Sequence, residues 1–142
     1  MDVNHGKYLG VDYGDKRTGL AECDVSGMLA SGICTISEGG MRNTAERVAK
    51  EAEKRSCKKI VIGLPKNMDG TEGARAALCR EFATLLEAAT GLPVAMWDER
   101  RTTVEAHNIL SQHNYHGKKR KETVDAVAAS LILEGYLASR GR

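Results

Sequence analysis

Nothing in this chain approaches the roughly eighteen uninterrupted apolar residues of a membrane span. Its start, MDVNHGKYLGVDYG, lacks the basic-then-apolar layout of a secretory signal, so the expectation is a soluble, cytoplasmic protein with no membrane partner. The cysteines Cys23, Cys34, Cys57 and Cys79 stand far apart without a C-x-x-C pair. That argues against a zinc ribbon or a disulfide framework and for reduced, structural thiols. His107, His113 and His116 match no common zinc spacing either. There is no repeat, low-complexity tract or Pro/Ser-rich linker where a domain boundary could fall, and no Walker A loop or G-x-G-x-x-G fingerprint. With 21 basic and 19 acidic side chains the formal charge is only +2, which excludes a globally basic, histone-like binder.

What is present is a change of hydrophobic period along 142 residues, a length that suits one domain spanning 1 to 142. KYLGVDYG (7 to 14), RTGLAECD (17 to 24) and MLASGICTIS (28 to 37) are short, partly apolar segments separated by turn residues, and they predict an antiparallel meander. From Asn43 the spacing becomes helical as far as Arg55, with Asn43 and Glu46 as a capping box. KKIVIGLP (58 to 65) reads as a strand buried on both faces. After the turn NMDG, the stripe Ala74, Leu78, Phe82, Leu85 and Ala89 predicts a second helix stopped by Gly91. VAMWD (94 to 98) reads as another buried strand, Thr102 with Glu105 as the cap of a third helix, and Glu122 to Ser139 as a fourth. The predicted fold is α/β: a mixed five-stranded sheet, three antiparallel strands and then alternating helices and strands, covered by helices. In such sheets ligands gather at the strand ends where the order reverses, beside the first strand.

Carboxylates at three places in the chain fall where that rule points. Asp12 sits inside the apolar, glycine-flanked end of the first strand, where a lone charge is costly unless it is paired or metal-bound. An Asp before glycine also caps hairpins, so alone it reads either way. Asp98 and Glu99 end the last strand; the two-residue period sends them to opposite faces, so at most one joins Asp12 while the strand continues. Asp125 lies one turn into the last helix and shares a face with Ala129 and Ile132, although favourable interaction with a helix N-terminus would also explain it. Together these acids converge on one sheet edge, where they would repel each other severely without cations. All-oxygen ligation suits Mg2+ or Mn2+. Two such ions can clamp the attacking water and the leaving oxygen of a phosphodiester.

The segments GVDYGDKRTG (10 to 19), GLPKNMDGTEG (63 to 73), DERRTTVEA (98 to 106) and VDAVAASLILEGYL (124 to 137) resemble, in order and over nearly the whole chain, the signature segments of the YqgF/RuvX family. These are pre-16S rRNA nucleases also described as Holliday-junction-resolvase-like. The resemblance implies an RNase H-like fold and a divalent-metal-dependent endonuclease that matures the 5′ end of precursor 16S rRNA in the bacterial cytoplasm, with a pre-ribosomal particle as partner. It also implies metal-binding and catalytic roles for Asp12, Glu99 and Asp125, with Asp98 a neighbouring candidate. Branched DNA is the other expected substrate, and a non-cleaving nucleic-acid-binding factor a third reading. Asp-x-Gly also resembles the phosphate loop of sugar-kinase and actin-like ATPases, but those enclose a nucleotide between two domains and this chain has room for one. For nucleic-acid binding the candidates are Lys16 and Arg17 in the first turn, Lys66 and Asn67 after the buried strand, Arg100 beside Glu99, and Lys118, Lys119, Arg120 and Lys121 in a loop-like basic run. Aromatics are few: Trp97 reads as core, and only Tyr13 and Tyr115 read as stacking platforms, so recognition of backbone and shape is expected to dominate.

Overall fold

The computed structural model describes residues 6–14, 16–23, 30–37, 39–98 and 117–140. Its elements are β1 (Lys7–Tyr13), β2 (Thr18–Cys23), β3 (Ala30–Ile36), α1 (Met41–Lys54), β4 (Cys57–Leu64), α2 (Ala74–Thr90), β5 (Val94–Asp98) and α3 (Gly117–Arg140). The strands form one five-stranded sheet in the order β3-β2-β1-β4-β5. β1 pairs antiparallel with β2 and β2 with β3, whereas β1 with β4 and β4 with β5 are parallel. The predicted mixed sheet is therefore present, and the direction changes at β1. The helix expected from Thr102 lies outside the described residues.

Alternation along the strands divides the core in two. Leu9, Val11, Leu20, Ile60 and Ile62 pack with Val48 and Ala52 of α1 and with Phe82 and Leu86 of α2. Val61 packs on the other face with Ile132 and Leu133 of α3, joined by Tyr8 and Trp97. β4 is buried on both faces from Ile60 to Leu64, as its continuous apolar run implies. Phe82 is wholly buried. Truncating such a ring to alanine typically costs about 3–5 kcal/mol.

Helix α3 lies unusually close to the sheet, and two glycines permit it. A Cβ on Gly10 would stand 2.7 Å from the Ala129 carbonyl oxygen, and one on Gly135 would stand 2.7 Å from Cζ2 of Trp97. Any side chain at either position would push strand and helix apart.

Several local expectations are corrected. α1 starts at Met41 behind the Gly39-Gly40 turn, with no side-chain cap, so Asn43 and Glu46 lie inside the helix and form no capping box. The hydroxyl of Thr44 donates instead to the Gly40 carbonyl at 2.8 Å. The buried stripe of α2 is Ala76, Cys79, Phe82 and Leu86. Leu78 is exposed at 38%, and Ala74 and Ala89 are also exposed, because the helix is rotated to bring Cys79 and Leu86 against the sheet. β5 is half-buried throughout because it is an edge strand. The basic run is not a loop: Gly117–Lys121 belongs to the start of α3. Lys and Arg are good helix formers, and no breaker separates Lys118 from Glu122, so the helix extends back to Gly117.

Candidate functional site

The three parallel strands all finish at one edge of the sheet. Val11 is level with Ile62, Ile62 with Met96, and Leu64 with Asp98, so the ends of β1, β4 and β5 lie within about one residue step of each other. From this edge leave the turn after Tyr13, the 65–73 loop and the chain beyond Asp98.

Asp12 is half-buried here. Its neighbours on the strand settle which face it belongs to. Leu9, Val11 and Tyr13 pack on the α1/α2 side, whereas Tyr8 packs on the α3 side and Gly10 lies under Ala129. Alternation assigns Asp12 to the α3 side. Along that face the rings of Tyr8 and Tyr136 are 6.4 Å apart, while Gly10 lies beneath Ala129 and Leu133. As β1 advances toward Asp12, the facing residues of α3 therefore run backward in number. One helical turn before Ala129 is position 125, so the backbone of α3 carries Asp125 toward the Asp12 end of the strand. Ala129 and Ile132, which share that helix face, are fully buried.

Asp98 has different surroundings. Val94 and Met96 pack on the α1/α2 side and Trp97 on the α3 side, so alternation returns Asp98 to the α2 side, away from Asp12. Glu99 and Arg100 lie outside the described residues, as do Arg101 and Tyr115. Among the described residues no three His, Cys, Asp or Glu side chains gather closely enough to hold a metal.

The end of β1 is fixed by a residue that sequence reasoning passed over. Arg75, in the first turn of α2, donates from Nη2 to the main-chain oxygen of Tyr13 at 2.5 Å, and its guanidinium lies 5.4 Å from the centroid of the Tyr13 ring. That ring stacks on Phe82 with centroids 4.1 Å apart and planes 15° apart. Tyr13 is thus a packing residue with its ring occupied by protein, which corrects its expected role as a platform for bases. A signal existed: a basic residue in a first helical turn opposes the helix dipole, so Arg75 needs a compensating partner.

The 65–73 loop is self-bonded. Asn67 N–H donates to the Thr71 carbonyl at 2.8 Å and Gly70 N–H to the Asn67 carbonyl at 2.9 Å. The Asn67 amide donates to Thr71 Oγ1 at 2.9 Å, and Asp69 Oδ1 accepts from Thr71 N–H at 3.0 Å and from Thr71 Oγ1 at 2.6 Å. Glu72 accepts two bonds from Arg80, both 2.8 Å. The hydrogen bonds from Arg80 hold the Glu72 carboxyl below the usual carboxylate range, with Lys66 a minor contributor. Of the residues expected to meet phosphates, Lys16 is exposed, Arg17 and Lys66 are half-buried, and the Asn67 amide is engaged in building its own turn.

Comparison with known proteins bears on this edge. A family model described as "RuvX: Holliday junction resolvase" matches residues 6–139. A protein of Syntrophus aciditrophicus (strain SB), with the provisional name pre-16S rRNA nuclease, is 45% identical over 131 residues, covering 92% of this chain and 87% of that one. A Halothermothrix orenii protein with the same provisional name is 42% identical over 131 residues, covering 92% and 94%. Among solved structures, T. thermophilus RuvC in complex with a Holliday junction substrate superimposes with a TM-score of 0.62 at 15% identity, covering 96% of each chain. Fowlpox virus resolvase in complex with Holliday junction DNA gives 0.56 at 12% identity, over 96% of this chain and 99% of that one. The arrangement is the RNase H-like fold of these resolvases.

Proposed function

This chain belongs to the RuvX family, and from that premise we propose that it is a divalent-metal-dependent endonuclease that hydrolyses phosphodiester bonds in structured nucleic acid, with precursor 16S rRNA as its substrate. The observation that carries the reading is the meeting of β1 and α3 at the carboxyl edge: a half-buried Asp12 on the face crossed by α3, with the helix backbone leading position 125 toward it.

The donor set is carboxylate only, which fits Mg2+ or Mn2+ and not a soft metal. Asp12, Glu99 and Asp125 would hold the ions; Asp98, turned to the α2 face, is left out of the proposed set. When bound, such ions make a water nucleophilic and neutralise charge on the phosphate. The chain's own part is to keep Asp12 at a fixed depth. Arg75 ties down the carbonyl that follows it, and Gly10 lets α3 close over the strand. Lys16, Arg17, Lys66 and Arg100 would meet phosphates around the edge. No helix among the described residues is long and apolar enough to cross a membrane. A cytoplasmic, pre-ribosomal setting follows from the substrate.

The test is to incubate the purified chain with a labelled precursor rRNA fragment and, separately, with a four-way DNA junction, each in Mn2+ or EDTA. Metal-dependent cutting of the RNA at a defined position is expected. Cutting of the junction alone would move the substrate to branched DNA, and no cutting of either in Mn2+ would sink the nuclease reading.

A further inference from the structure

Met68 is the most exposed large apolar side chain among the described residues, at 93%. A single apolar residue on a surface ordinarily needs no explanation. Its setting is what distinguishes this one. Both ends of its loop are attached at the carboxyl edge, by Leu64 at the end of β4 and by Arg75, which reaches the end of β1. Between them the Asn67, Asp69, Gly70 and Thr71 bonds hold the turn in one shape, so the position of residue 68 is preorganised. The loop's two carboxylates are also occupied internally, Asp69 by Thr71 and Glu72 by Arg80. Glu72 is paired with the Arg80 guanidinium, which offsets its charge toward an approaching polyanion, and Lys66 stands at the start of the loop.

A long, unbranched, polarizable side chain on a stiff turn beside a phosphate-handling edge suits insertion into a base stack. Apolar wedges of this kind enter between bases and unstack them, and they do so at least cost where the stack is already broken. We propose that Met68 is a specificity-determining wedge that packs against exposed bases where a nucleic-acid helix is interrupted, at an end, bulge or branch. This rests on the reading of the carboxyl edge as a nuclease site.

The experiment compares the full-length chain with Met68→Ala, Met68→Gln and Met68→Leu in EDTA, on a bulged RNA carrying 2-aminopurine at the interruption and on the same sequence fully paired. The parent is expected to bind the bulged RNA more tightly and to change the 2-aminopurine fluorescence. Ala and Gln should each weaken that binding by about tenfold and abolish the fluorescence change, with Leu close to the parent. Binding to the paired RNA and the slope of log affinity against log salt should stay the same, because no phosphate contact is removed. The melting temperature should also hold, since substitutions at such exposed sites barely move stability. If Met68→Ala binds the bulged RNA with unchanged affinity and signal, the wedge is overturned and the nuclease reading stands. If the parent binds neither RNA, both fall. A defect that emerges only when a protein partner is added would assign Met68 to that partner and likewise overturn the wedge.

Discussion

Arg75 and Tyr13 join two elements through one side chain: the guanidinium donates to the carbonyl that closes β1 and lies over the ring of the same residue. Tyr13 directly follows Asp12, so the bond fixes the strand where the carboxylate leaves it. Arg75→Ala should leave a half-buried carbonyl without this donor and cost about 1–3 kcal/mol of stability. More telling, kcat in Mn2+ should fall about ten- to a hundredfold with little change in KM if, as proposed, this edge holds the metal, because the edge is loosened and substrate contacts are kept. Arg75→Lys should restore part of the stability through its charge but not the planar packing on Tyr13. A loss of stability with normal kcat would reduce Arg75 to a fold residue.

Asp12→Asn should lower cleavage by more than about 100-fold while preserving the fold, since it removes a proposed metal ligand's charge and keeps the side chain's shape. Thermal melting reads metal binding apart from chemistry. Mn2+ at millimolar concentration should raise the melting temperature of the parent, because a ligand that binds only the folded chain stabilises it. That rise should vanish in the Asp12→Asn/Asp125→Asn double variant. Near-normal turnover in Asp12→Asn would remove this residue from the site.

How much of this was legible beforehand depends on what each residue answers to. The sheet was readable because its signals are local: Ile60 to Leu64 is an unbroken apolar run, and Gly14 ends β1 directly after Tyr13. Asp12 stood out as a candidate because a charge in such a strand demands a reason. The helix faces were less so. Ala74, Leu78 and Ala89 fit a 3.6-residue stripe, yet the sheet selects Ala76, Cys79 and Leu86, a choice set by packing across the interface. Arg75 was passed over and Tyr13 misread for the same reason, since the two lie 62 residues apart in the chain. The side of the sheet taken by Asp98 emerged only once Met96 and Trp97 had been assigned to opposite cores.

Cys57 offers a pH test of the fold away from the site. Burial, and after it the nearby Glu22 carboxylate, pushes the thiol up from 9.0 to about 11. A raised acid contributes stability that is fully present below its unfolded pKa and is lost as pH climbs through the folded value. Across that window the unfolded chain releases the proton first. Stability should therefore decline between about pH 9 and 11, by up to roughly 2–3 kcal/mol from this group. Cys57→Ala should flatten that part of the curve in urea titrations at each pH. A decline as steep in the variant as in the parent would assign the alkaline loss to other groups. The buried thiol should also resist iodoacetamide at pH 7 until the chain unfolds.

The helical start of α3 changes what the basic run can do. In a loop, Lys118, Lys119, Arg120 and Lys121 could all follow one phosphate backbone, and replacing all four would make the salt dependence of affinity shallower by nearly three at about 0.7 per contact on a single strand. Within Gly117–Arg140 they are successive helical positions, turned by about 100° each, so one strand can meet about two of them. The quadruple Gln variant should then flatten the slope of log affinity against log salt by about 1.4 and weaken binding to unrelated sequences by similar factors. Paired variants should divide unequally: positions 118 and 121, three apart, lie on one side of the helix, and either that pair or 119 with 120 should carry most of the effect. Cleavage at saturating substrate should change little, because the proposed role of these residues is to position the strand and not to hold metal. A full loss of nearly three would mean that the helix start unwinds on the nucleic acid. An unchanged slope would leave the track to Lys16, Arg17, Lys66 and Arg100.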